Sequence, residues 1–334
     1  MTACGSTLRG RMMFRAYWDL DELPGDFPPA VVTIGNFDGI HVGHRRILDT
    51  TRAQARALGC QAAVLIFDPH PMKVVAPERA PLLLTSPAER LRRFEELGMD
   101  AAVVLRFTGE TAHLSPQEFV TRVLVAKLHA RAVVVGENFR FGHRQRGDFS
   151  LLAALGEQHG FEALAVGSVS AAGGPASSSR VRDLARRGEM AAARRLLGRP
   201  FSLQGPIVPG HGIGSKQTVP TLNLAPETEL LPAEGVYVTE TRDARSGRCW
   251  PSVTNIGSRP TFDGKGLHVE TYLLSKLEGS APERIELLFY RRLRDERKFA
   301  SPEDLRRQIL VDANRAQRFL RLLKTVGEKL VKTR

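Results

Sequence analysis

His41 and His44 stand three residues apart in the stretch GNFDGIHVGHRR (35–46), behind a glycine-broken turn and at the start of a helical pattern. On a helix, residues at that spacing project to the same side of the first turn. The free backbone N–H groups and positive dipole end of a helix start favour a phosphate. Gly43, lying between them, removes a side chain, so that a phosphate can approach closely. Two imidazoles there could donate hydrogen bonds to a phosphoryl group as charge builds up in an in-line displacement. The plainer alternative is two polar surface residues at a helix start, and the motif by itself leaves both open.

Three further stretches offer compatible chemistry. Phe67-Asp68-Pro69-His70-Pro71 ends an apolar run and leaves Asp68 for a metal or ribose contact. In GENFRFG (136–142), glycines bound an aromatic loop able to hold a base or a flavin ring. SSSRVR (177–182) sets hydroxyls and arginines at a helix start, a second phosphate cradle in Ser178, Ser179 and Arg182. Each also has a structural explanation: a strand terminator, core packing and a simple N-cap.

The C-terminal half carries a different set. Gly210, Gly212 and Gly214 form a glycine-rich flap, whose backbone amides could wrap phosphates. Thr221 and Asn223, two apart in an extended segment, point the same way and offer hard oxygen ligands for Mg²⁺. Asn255 begins a turn of polar groups beside Phe262. In HVETYLL (268–274), strand alternation separates Val269, Thr271 and Leu273 from His268, Glu270 and Tyr272. Glu270 could serve as general base for a primary alcohol attacking ATP, or could simply face solvent.

The elements that must position these groups are legible in outline. Apolar runs at 30–35, 62–67, 101–107, 132–136 and 162–167 alternate with helical patterns, as in a parallel sheet covered on both faces. Ser86-Pro-Ala-Glu89 and Ser115-Pro-Gln-Glu118 read as N-caps with a capping-box glutamate, and Gly59, Gly98, Gly160 and Gly188 as helix stops. The expected fold is an α/β, doubly wound parallel-sheet domain, with the polar loops on its ligand edge. Beyond residue 199 the chain turns to short strands (VYVTET, RCWPSVTNI, HVETYLLS, IELLFYRRL), with DARSG as a hairpin turn. That pattern indicates a small antiparallel β-barrel, closed by a helix capped at Ser301 and running to about residue 325. The expected layout is a disordered 1–13, a first domain at 14–186, a helical linker at 187–199 and a second domain at 200–330.

Composition narrows the function classes. The 334 residues are 42% hydrophobic and 25% charged, a globular balance. Cys4, Cys60 and Cys249 show neither disulfide nor metal spacing, and no run reaches the length of a signal core or membrane span, so a cytoplasmic protein without membrane contact is expected. The net charge of +12 fits nucleic-acid binding or nucleotide substrates. Runs such as Arg90-Leu-Arg-Arg93 and Arg186-Arg187 lack interleaved aromatics, so they read as solvated helix faces, and no nucleic acid is expected as a partner.

G-x-FDG-x-H-x-GH, FDPHP, GENF-x-FG and SSS-R-V-R, in that order, resemble the FMN adenylyltransferase module of bacterial bifunctional riboflavin kinase/FAD synthetases. The glycine flap, PT-x-N, P-x-EGVY, N-I-G-x-x-PTF, VET and LRDERKFASPEDL resemble the riboflavin kinase module of the same family. The resemblance covers roughly residues 14–325. It implies phosphorylation of riboflavin to FMN, then adenylylation of FMN to FAD with release of pyrophosphate. The implied partners are riboflavin, FMN, ATP and Mg²⁺, with a monomer or weak homo-oligomer. It also implies that Gly35, Phe37, His41, Gly43 and His44 meet the ATP phosphates and that Ser178, Ser179 and Arg182 grip the triphosphate. Asp68 and Asn138 then lie on the FMN/Mg²⁺ side. In the second module, Thr221 and Asn223 hold Mg²⁺–ATP, Glu270 activates the riboflavin 5′-hydroxyl, and Asn255 and Arg294 lie near the flavin. The chain departs from the family at Ser179, where threonine is usual, and with PTLN in place of PTAN. Ile213 and Lys216 stand where arginines are common. Two competing readings are a nucleotidyltransferase for another phosphorylated acceptor and a regulator that kept the fold without catalysis.

Overall fold

The computed structural model describes residues 13–209, 221–261, 264–277 and 280–332. The chain divides into two compact units, with the division between Ala176 and Ser177. The helix that begins at Ser178 therefore packs with the second unit, although the sequence pattern places it before the expected boundary at 186.

The first unit contains β1 (Arg15–Tyr17), β2 (Ala30–Ile34), α1 (Val42–Leu58), β3 (Gln61–Asp68), α2 (Pro71–Val75) and α3 (Pro87–Glu96). It continues with β4 (Ala101–Arg106), α4 (Gly109–His113), α5 (Pro116–Phe119), β5 (Ala130–Gly136), α6 (Phe149–His159) and β6 (Glu162–Val166). The strands form one parallel sheet in the order β1-β4-β3-β2-β5-β6. Successive residues of β2 enter opposite cores: Ala30, Val32 and Ile34 join one apolar cluster, while Val31 joins the other. Both faces are covered, which is why these strands read as unbroken apolar runs. The edge strand β1, three residues long, carries no such run and is absent from the sequence reading.

Helix punctuation follows the expected chemistry. Gly59 and Gly160 take left-handed conformations after α1 and α6. Ser115 and Glu118 form a complete capping box. Ser86 caps α3 as anticipated, but Glu89 is buried and joined to Arg93, with Nη2 to Oε1 at 2.6 Å.

The second unit holds α7 (Ser178–Arg186), α8 (Met190–Leu197), β7 (Phe201–Val208), β8 (Thr221–Leu224), β9 (Gly235–Asp243), β10 (Cys249–Thr261), β11 (Gly264–Leu273), β12 (Arg284–Arg294) and α9 (Pro302–Lys332). Strands β7–β12 close a barrel in the order β10-β11-β8-β7-β12-β9, antiparallel at each recorded pairing. The expected turn at Asp243–Gly247 joins β9 to β10. Outward residues Val236, Val238, Val253, Leu288 and Tyr290 pack beneath Ala316 and Leu320 of α9. The interior is partly polar: Thr239, Thr241, Ser252, Thr254 and Thr271 are fully buried. Their hydroxyls bond one another, with Thr239 Oγ1 2.8 Å from Ser252 Oγ and from Thr254 Oγ1, and Thr254 Oγ1 3.0 Å from Thr271 Oγ1. Among the described residues no helix is long and apolar enough to cross a membrane.

Candidate functional site

In the first unit, β2 hands over to α1 through Gly35–His41 at the carboxyl edge of the sheet, where open α/β folds bind ligands. The loop is tightly bent: Phe37, Gly39 and Ile40 have φ of 47°, 79° and 41°. Asp38 is buried and pins the bend, its carboxylate accepting from the amides of Leu84 and Thr85 and from the Thr85 hydroxyl, each at 3.0 Å. The Gly39 amide donates to Thr85 Oγ1, also at 3.0 Å.

His41 is the N-cap of α1, accepting the His44 amide at Nδ1 over 3.3 Å. Its proton therefore sits on Nε2, leaving an N–H donor directed away from the helix. The two imidazoles stack with centroids 3.7 Å apart, and Phe37 meets the His44 ring edge-on at 5.0 Å. A Cβ at Gly43 would sit 3.0 Å from His41 Cε1, so glycine is what admits this ring. Burial lowers the His41 pKa to about 4, against the pull of the Asp38 carboxylate. Burial, reinforced by His41, holds His44 well below the usual histidine range. Both rings are neutral at neutral pH, and His44 Nδ1 is buried without a hydrogen-bond partner.

Beside the histidines, a cleft of about 780 Å³ runs between Val42, Arg45 and Arg46 on α1 and the 165–169 segment that ends β6. The volume is in the range of small-molecule sites. No sequence motif pointed to it, because one wall is assembled from residues more than a hundred positions away.

Asp68 closes β3 on the same edge, where Asn36 and His70 bring the two loops together at 3.0 Å. Arg90 of α3 lies within the electrostatic reach of Asp38 and Asp68, and its Nη1 donates to the Asn36 carbonyl at 2.7 Å. Arg90 and Arg93 are 1% and 8% exposed, which corrects the reading of that run as a solvated face. A usable signal exists: Arg90 shares a helical face with Phe94 and Leu97 at i+4 and i+7. Asn138 is exposed in a turn after β5, closed by the Phe139 amide on the Gly136 carbonyl. Phe141 of that loop is core, packed against Phe119 and Phe139, so it is not an open aromatic surface.

In the second unit, Ser177 caps α7; Ser178 is half-buried, Ser179 exposed and Arg182 buried. In the barrel, register places four expected residues in one transverse row. Asn223 pairs with Glu270, Glu270 with Asn255, Asn255 with Val236, and Val236 with Arg294. Directly paired residues share a face, and this row lies on the outer one. Thr221 stands two residues from Asn223, opposite Tyr272. Asn255 donates to Glu296 at 3.3 Å, and Arg294 is anchored to the buried Asp312 at 2.9 Å while lying over Phe299. The flap glycines 210, 212 and 214 lie outside the described residues.

Residues 24–180 match a family model described as FAD synthetase, and residues 197–320 match one described as riboflavin kinase. A bifunctional riboflavin kinase/FMN adenylyltransferase of Escherichia coli K12 is 34% identical over 312 residues, covering 93% of this chain and 99% of the relative. One from Pseudomonas fluorescens is 37% identical over 299 residues, covering 89% and 95%. A crystal structure from Streptococcus pneumoniae, described as a macrolide-efflux protein, superposes with a TM-score of 0.80 at 27% identity, covering 91% of this chain and 99% of that one.

Proposed function

The chain belongs to the bifunctional riboflavin kinase/FMN adenylyltransferase family, and on that premise we propose that its two units carry out successive steps of flavin-cofactor synthesis. In the barrel unit the 5′-hydroxyl oxygen of riboflavin attacks the γ-phosphorus of ATP, giving FMN and ADP. In the α/β unit a phosphate oxygen of FMN attacks the α-phosphorus of a second ATP, giving FAD and pyrophosphate. No covalent enzyme intermediate is needed.

The observation that carries this reading is the transverse row Asn223–Glu270–Asn255, because it sets a carboxylate beside oxygen donors on one barrel face. Glu270 accepts the proton of the attacking hydroxyl. Thr221 and Asn223 fit Mg²⁺ as neutral hard-oxygen ligands of a metal held mainly by nucleotide phosphates. Among the described residues there is no cluster of three or more His, Cys, Asp or Glu to bind one alone. When bound, Mg²⁺ supplies charge neutralisation on the phosphoryl oxygens. Asn255 and Arg294 contact the flavin, and Gly210, Gly212 and Gly214 cover the phosphates.

In the α/β unit the neutral His41 and His44 donate hydrogen bonds to the ATP phosphates, with the amides of α1 behind them. Gly35, Phe37 and Gly43 shape the approach, and the cleft beside Arg45 accommodates the nucleotide. Asp68 and Asn138 serve the FMN side, and Ser178, Ser179 and Arg182 the triphosphate. We place the protein in the cytoplasm, as a monomer or weak homo-oligomer. Incubating pure protein with riboflavin and Mg²⁺–ATP, then separating flavins by chromatography, tests the scheme. Both FMN and FAD are expected; formation of neither overturns it, and FMN alone overturns the assignment of the first unit.

A further inference from the structure

The basic run on α3 contains two buried arginines with different surroundings. Arg93 closes on the Glu89 carboxylate, with Nε at 2.8 Å and Nη2 at 2.6 Å from Oε1. Arg90, 1% exposed, uses Nη1 on the backbone carbonyl of Asn36, while its Nε and Nη2 are buried with no hydrogen-bond partner. Burying a guanidinium whose fork is left open is costly. Asp38, Asp68 and Glu89 compensate its charge electrostatically.

Asn36 opens the bent loop that ends at His41. Non-glycine residues in left-handed conformations, such as Phe37 and Ile40, persist only where the surroundings hold them. Here α3 and the segment before it grip the loop at three places: Arg90 on Asn36, Leu84 and Thr85 on Asp38, and Thr85 on Gly39. Arg90 also offsets the negative charge of Asp38 and Asp68 at an edge that must accept phosphates, where both histidines are uncharged.

We infer that Arg90 is a positioning residue for adenylyl transfer, fixing the histidine loop through the Asn36 carbonyl and neutralising the carboxylates beside it. This inference rests on the functional reading above. A misplacement of about 1 Å away from the chemistry can lower a rate roughly a hundredfold, so the effect belongs in kcat.

The test measures FAD formation from supplied FMN and Mg²⁺–ATP for wild type, Arg90→Met and Arg90→Lys, with riboflavin kinase activity of each protein as internal control. Rates are normalised to folded protein by circular dichroism. Arg90→Met should lower the adenylyl-transfer kcat about a hundredfold, with KM for ATP within about threefold and kinase activity unchanged. Arg90→Lys, which keeps the charge but replaces the fork with a point donor, should lose about tenfold. A purely structural role would reduce the folded fraction and leave kcat per folded molecule intact. Wild-type kcat in folded Arg90→Met overturns the inference; should that variant fail to fold, a kcat within twofold of wild type in Arg90→Lys overturns it. A wild-type protein that makes no FAD overturns the functional reading and this inference with it.

Discussion

At the residue scale, the chemistry depends on where protons sit. His41 Nδ1 is occupied by the His44 amide, so only its Nε2–H faces outward. His44→Ala should lower FAD formation about 10²–10³-fold, as loss of one preorganised donor does, and leave FMN formation unchanged; Glu270→Ala should do the reverse, with both products read by chromatography. The histidines also couple stability to pH. The folded-state pKa of His41 is about 4 against 6.5 unfolded, so between those values the unfolded chain binds more protons. Its contribution is complete above pH 6.5 and is lost as pH falls towards 4, amounting to about 3 kcal/mol. Urea midpoints between pH 7 and 4.5 should fall for wild type and fall less for His41→Asn, which keeps a capping oxygen.

At the element scale, close backbone approaches decide what can change. A Cβ on Gly205 of β7 would overlap the Ala225 carbonyl oxygen, and backbone cannot step aside as a side chain can. Gly205→Ala should destabilise the barrel by about 3 kcal/mol or more and remove kinase activity at moderate temperature. A thermal melt alongside the kinase assay checks this. The same scale shows what the sequence could reveal. Strands β2–β6 are legible because burial on both faces makes them apolar throughout, and Ser115 with Glu118 announces a cap through local chemistry alone. β1 is not, since three edge residues leave no pattern. The transverse row is invisible in sequence because it depends on register between strands separated by flaps and hairpins. Arg90 is hidden for a related reason: its burial is imposed by Asn36, 54 positions away, and charge alone argues for solvent.

At the scale of the whole molecule, the histidine loop and the Glu270 row lie in separate units, each with its own core. His44→Ala and Glu270→Ala proteins mixed in one tube should therefore restore FAD synthesis from riboflavin, FMN passing through solution from one to the other. No FAD above that of either variant alone would mean that FMN is not released. The net charge of +12 adds a salt dependence: KM for ATP should rise with ionic strength as the attraction of anions is screened. The barrel's buried hydroxyls bear on how such a chain can evolve. Replacing Thr254 by valine takes one partner from Thr239, which keeps Ser252, and leaves Thr271 only the long 3.4 Å contact with Thr241. A buried hydroxyl deprived of its partner costs about 1–3 kcal/mol, whereas exchanging the whole set for aliphatic residues would leave no orphan. The intermediates are worse than either endpoint, so single mutational steps are trapped in a valley. The trap also protects alignment: a one-residue slip of β11 would turn Thr271 outward and carry Glu270 into the lumen. An interior of mutually bonded hydroxyls thereby keeps the outer row in phase over generations.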